Sequence, residues 1–169
     1  MGMMDRLKKT MTGEDESPAD ADILDTLKQE HDDVADMLDR LVTSTAATER
    51  KKLLTSIKTA LVPHLRGEEK AVYELVRGMR GKEQQTHAQE GFMEHSLAER
   101  VLGQLGRMSS PTSPEFSAGA KVLKELVEHY VEEEEKNIWS DIEDNFSNED
   151  RIAINREFLA AKARVKVSA

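Results

Sequence analysis

Two stretches of the chain carry the same arrangement, His64-Leu-Arg-Gly-Glu68 and His129-Tyr-Val-Glu-Glu133. In a helix, residues i and i+4 share a face, so each His–Glu pair can address a single point. Imidazole nitrogen and carboxylate oxygen are donors suited to first-row metals such as iron and manganese. The sequence has 0 Cys, which excludes disulfides, thiolate zinc sites and Cys-held iron–sulfur clusters. Any metal must therefore be held by His, carboxylates, Tyr or water. A Glu turned into a core without a partner is costly or takes up a proton, and a metal removes that difficulty.

These residues need helices to position them. Leu24, Leu27, His31, Val34, Leu38 and Leu41 recur at three- and four-residue steps and predict a first amphipathic helix, opened by Ser17-Pro18. A second stripe runs Leu54, Ile57, Leu61, His64, Glu68, Ala71, Leu75 and Met79, and ends at Gly78 and Gly81. Ala88, Gly91, His95, Ala98, Leu102 and Leu105 form the third. After Ser113-Pro114, Val122, Leu126, His129 and Glu133 form the fourth, flanked by Leu123 and Tyr130. Ser147 caps a shorter helix at about 148–166 with Ile152, Phe158 and Leu159. The predicted fold is all-α: an antiparallel up-down four-helix bundle with an additional short C-terminal helix. The bundle occupies residues 17–169, with its core in 20–144, behind a flexible N-terminal tail at 1–16. Few aromatics (4 %) and many charges (34 %) suit that class rather than a sandwich or barrel.

One His on an apolar stripe is ordinarily a hydrogen-bonded core histidine, and an acidic run such as Glu132–Glu135 is ordinarily a solvated face. Here all four long helices place a His in the stripe, and two add a Glu. With turns near residues 46, 82 and 111, His31, His64, Glu68, His95, His129 and Glu133 fall within about one helical turn, roughly 5 Å, along the bundle axis. That coincidence favours a shared metal site. Six ligands exceed what one four-coordinate structural zinc uses. Two iron ions, or two manganese ions, each with two His and shared carboxylates, use all six and leave open positions.

At these residues the chain resembles the hemerythrin-like, HHE cation-binding family. The likeness covers about residues 20–144 and rests on LKQEHDDV, HLRGEEKAVYE, MEHSLAE and HYVEEEEKNIW. It implies that His31 and His64 bind one iron, that His95 and His129 bind the other, and that Glu68 and Glu133 bridge them beside an oxo or hydroxo group. Oxygen carriers of the hemerythrin type have a further His where this chain has Gly91, and their fourth-helix carboxylate is an Asp spaced differently. Bacterial members with four His and two carboxylates are familiar. Gly91 therefore marks an expected open coordination position. Tyr130 and Tyr73 lie within reach of it, although both read first as core or rim packing.

The function expected from the resemblance is binding of, or reaction with, a small oxidant: oxygen, peroxide or nitric oxide. Turnover would make the protein an oxidoreductase. The alternatives are a non-catalytic oxygen, redox or iron sensor or carrier, and a metal-free bundle. A formal net charge of -9 argues against nucleic acid as a partner. No apolar run is long enough to span a membrane, and the first residues lack a signal-peptide pattern, so the expected location is cytoplasmic.

Overall fold

The computed structural model describes residues 17–168, and among them every regular element is helical. The predicted tail at 1–16 lies outside the described residues. Ser17-Pro18 opens only a single 3-10 turn, Pro18–Asp20, after which Ala21 is extended. Helix α1, Ile23–Thr43, starts instead at Asp22, whose carboxylate accepts the Leu24 N–H at 2.9 Å. Helix α2, Ala47–Glu68, continues through Pro63. One π-turn, Glu69–Tyr73, comes next and leads into α3, Glu74–Arg77. Helix α4 spans Lys82–Arg107. Helix α5, Pro114–Glu133, is capped by Ser113, whose hydroxyl accepts the Phe116 N–H at 3.1 Å. A second π-turn, Glu134–Ile138, leads into α6, Trp139–Asn145. Helix α7, Asn148–Ala163, begins at a reciprocal capping box between Ser147 and Asp150.

Helix α1 packs on α2 and α5, α4 packs on α5 and α3, and α7 lies along α2 and its π-turn. Two apolar clusters fill the interior. One joins Leu38, Leu61, Leu102 and Leu123. The other joins Leu27, Val76, Ala88 and Ile138 with Phe158 of α7. The early part of α1 therefore meets the stretch after α2, the early part of α4 and the stretch after α5, as antiparallel neighbours require. Between the clusters lies a polar layer that holds buried His31, His64, Glu68, His95 and Glu134.

The first π-turn directly follows buried Glu68, and the second begins at buried Glu134. A π-turn inserts one extra residue and rotates the helix beyond it by about a quarter-turn. The second stripe predicted from spacing holds at Ala71 and fails at Leu75. Leu75, expected inside, is 36 % exposed, whereas Tyr73 and Val76 are buried.

Candidate metal centre

Glu68 is at the middle of the layer and is fully buried. Its Oε1 lies 3.3 Å from His31 Nε2 and 3.1 Å from His64 Nε2, and its Oε2 lies 3.4 Å from His95 Nε2. Glu134 enters from the other side. Two clusters of donor atoms share Glu68, namely His31–His64–Glu68 and Glu68–His95–Glu134, and within each cluster the atoms lie within 4.8 Å of one another. The Tyr73 hydroxyl joins the second cluster. It donates to Glu134 Oε2 at 2.7 Å and stands 3.1 Å from His95 Nε2.

The three histidines share one mode of support. Each turns Nε2 inward and offers Nδ1 to a peripheral carboxylate: His31 to Glu135 at 3.1 Å, His64 to Glu30 at 2.8 Å and His95 to Glu69 at 3.2 Å. Each of these carboxylates meets a cation in turn, Lys28, Lys162 and Arg66 respectively. A carboxylate behind the outer ring nitrogen fixes the tautomer and orientation that a metal-binding imidazole needs.

The inward atoms are incompletely satisfied. His64 Nε2, Glu68 Oε2 and Glu134 Oε1 are buried without a hydrogen-bond partner. Buried polar atoms are ordinarily paired, so three orphans in one layer are an energetic anomaly. Two cations, one in each cluster, would resolve it. The donor set is nitrogen and carboxylate oxygen with no thiolate, which fits iron or manganese.

Without metal, the layer redistributes protons. Burial disfavours charge on His31, but hydrogen bonds to Glu135 and Glu68 outweigh it and raise the imidazole to about 10. His95 rises to about 9, burial opposing and Glu68 and Glu69 prevailing. His64 is also pushed up against burial, by Glu68 and Glu30. Glu68 is held well below the usual carboxylate range: burial opposes this, and the close imidazoles of His64, His31 and His95 prevail. Burial and the Glu68 charge push Glu134 up to about 8.

Of the residues predicted as ligands, His31, His64, Glu68 and His95 converge. His129 and Glu133 do not. The His129 side chain is 61 % exposed and pairs outward with Glu94 at 3.3 Å. Glu133 accepts from Asn137 at 3.0 Å, away from the layer. The buried stripe of α5 runs Phe116, Ala120, Leu123, Val127 and Tyr130, one residue beyond the predicted Val122, Leu126, His129 and Glu133. Phe116 and Tyr130 bury far more apolar area than any residue of the rival stripe, so they set the rotation of α5 and bring Glu134 inward.

Gly91 is not an open position either. A Cβ there would lie 2.5 Å from Tyr73 Cε2, so the phenol ring fills the space. Tyr130 is buried with its ring edge-on to His95, the centroids 5.1 Å apart. Tyr73, expected within reach of Gly91, does lie against it, whereas spacing alone assigns no role to Glu134 or the outer carboxylates Glu30, Glu69 and Glu135. A signal for Glu134 exists in the sequence, because it continues the stripe of Leu123, Val127 and Tyr130 towards Ile138.

The chain is 29 % identical over 147 residues to a protein named DNA nickase from Nostoc sp. (strain PCC 7120 / SAG 25.82 / UTEX 2576). The alignment covers 87 % of this chain and 41 % of that protein, so the chain spans well under half of its relative's length. No solved structure matches the chain significantly. Residues 22–140 match the hemerythrin HHE cation binding domain, which takes in the whole polar layer. The chain belongs to the hemerythrin HHE cation-binding family.

Proposed function

We propose that the layer holds two iron ions and binds, or reacts with, a small oxidant such as oxygen, peroxide or nitric oxide. The observation that carries the reading is Glu68, whose two oxygens face two separate donor clusters with unpartnered atoms on either side. His31, His64 and Glu68 would hold one ion. Glu68, His95 and Glu134 would hold the other, with the Tyr73 hydroxyl beside it. When bound, two irons supply redox and Lewis-acid chemistry that these side chains lack.

The chain supplies geometry, proton positions and exclusion. The three outer Glu residues hold the imidazoles in place. Tyr73 presents a proton at Glu134 Oε2, where it can be retained or passed inward. Apolar clusters flank the layer on either side. Manganese in place of iron would be read from the same donor set.

Metal analysis of the purified protein, together with its optical spectrum, tests the centre. Two irons per chain with a near-ultraviolet oxo-bridge absorption are expected, and an iron-repleted protein with none bound would refute the reading. Rapid consumption of peroxide or nitric oxide would then indicate turnover, whereas binding without consumption would indicate a carrier or sensor.

The Nostoc likeness supports a second reading, metal-dependent cutting of one DNA strand. The chain's net charge of -9 supplies no attraction for phosphates. Nicking of supercoiled plasmid by the metal-loaded chain, lost in Glu68→Ala, would favour that reading over the first.

A further inference from the structure

A narrow cleft between α4 and α5 leads from the surface to the second donor cluster. Tyr73, Gly91, Tyr130 and Glu134 line its inner part, and Glu90, Glu94 and Glu133 line the outer part. The carboxylates form a gradient of exposure. Glu90 is exposed, Glu94 and Glu133 are half-buried, and Glu134 is 3 % exposed. Glu134 Oε1 is buried there without a partner. Among the described residues no Lys or Arg lines this cleft, and its His87 is engaged by Asp141 at 2.8 Å. The groove on the far side of the layer differs. Between α1 and α5, beside His31, apolar Ala35, Leu38, Val127 and Val131 line it together with Glu128, Glu132 and Glu135, and it carries a cation, Lys28, 3.7 Å from Glu135.

We infer that the acidic cleft is the route by which divalent cations reach the centre, with Glu90, Glu94 and Glu133 passing the ion inward to Glu134. The inference rests on the di-metal reading above. A low-dielectric cleft lined by one sign of charge concentrates the opposite ion and accelerates its capture. Glu134 is the terminus because it is the most buried carboxylate lining the cleft and already belongs to a donor cluster. Cations are therefore selected at the mouth by charge and retained at the floor by coordination.

The protein contains its own reporter. Its 1 Trp, Trp139, stacks on the His31 ring with centroids 6.0 Å apart. Chelator-stripped chain mixed with Co(II) in a stopped-flow instrument should show Trp139 quenching as the centre fills. Glu90→Gln/Glu94→Gln should slow that phase by on the order of tenfold, within the range of electrostatic steering in clefts. Its final Co(II) stoichiometry and apo-protein melting temperature should match the wild type. Raising the ionic strength should slow the wild type and narrow the difference. Glu128→Gln/Glu132→Gln removes the same charge from the α1–α5 groove and should leave the rate close to wild type. Equal slowing by both pairs would reduce the effect to net charge and overturn the route. So would slowing by the groove pair alone, or by neither pair, while the wild type still loads. A wild type that takes up no Co(II), Mn(II) or Fe(II) would overturn the di-metal reading itself, an outcome distinct from the others.

Discussion

Glu133 and Glu134 are neighbours in an acidic run, yet one accepts from Asn137 and the other is the inward carboxylate of a donor cluster. Spacing from His129 favours Glu133, and spacing from Tyr130 favours Glu134. Side-chain bulk decides between them, and bulk is legible only when the rival stripes are weighed by apolar area. The assignment has a direct consequence. Glu134→Ala and Glu68→Ala should each lower the iron bound per chain, whereas His129→Ala and Glu133→Ala should leave it unchanged at equilibrium. Metal analysis of the four variants checks this, and loss in His129→Ala with retention in Glu134→Ala would reverse the ligand set. Tyr73 gives a second test. Tyr73→Phe keeps the ring that fills the space beside Gly91 and removes only the hydroxyl. If the phenol oxygen reaches the metal, the ferric protein should lose a visible tyrosinate-to-iron absorption while still binding two irons. An unchanged visible spectrum would confine Tyr73 to its hydrogen bond with Glu134.

The long helices are readable from sequence because His31, His64 and His95 lie on otherwise continuous apolar stripes. The two π-turns are not, since a five-residue step leaves no compositional mark and merely looks like a stripe that fades. On one limb of the bundle Glu68 and, five residues on, Tyr73 both face inward, and on another the second π-turn opens at buried Glu134 and closes at buried Ile138. Gly91 and Gly67 are what the neighbouring elements require in return. A Cβ at Gly67 would lie 2.7 Å from Phe158 Cδ2 and 2.8 Å from Lys162 Cγ, so this glycine seats α7, whose Lys162 pairs with the Glu30 that supports His64. Ala at a mid-helix Gly normally stabilises by up to ~1 kcal/mol. Gly106→Ala, in the last turn of α4 with nothing within 4 Å of the new Cβ, should show part of that gain. Gly91→Ala should instead destabilise by about 1–3 kcal/mol, because buried Tyr73 has to move. Gly67→Ala should also destabilise, because the buried Phe158 ring has to move. Urea unfolding of the three variants orders them, and stabilisation by Gly91→Ala would contradict the close approach of Tyr73.

For the molecule as a whole, metal and protons compete for one layer, so pH should act oppositely on the empty and loaded protein. In the empty chain His31 and His95 titrate at about 10 and about 9, against an ordinary value of 6.5 when unfolded. A raised histidine stabilises fully below its unfolded value and loses that contribution as pH climbs through its folded one. Glu134, raised to about 8 from 4.5, has the same sign, since its protonated form is the one the fold prefers. Glu68 has the opposite sign, but its depressed carboxyl acts only in acid, where its contribution is lost as pH falls below its unfolded range. The empty protein should therefore lose melting temperature steadily between about pH 6.5 and pH 9. Metal needs neutral imidazoles and ionised carboxylates, so its binding strengthens over that interval and the loaded protein gains relative to the empty one. Loading at about pH 7 should also release protons from His31, His95 and Glu134, measurable as acidification of a weakly buffered solution on adding Fe(II) under anaerobic conditions. Parallel melting curves for the empty and loaded protein across this range, with no proton release, would mean that the metal binds elsewhere. Because both signals originate in the buried layer, Glu68→Ala should abolish the divergence, whereas Glu133→Ala should preserve it.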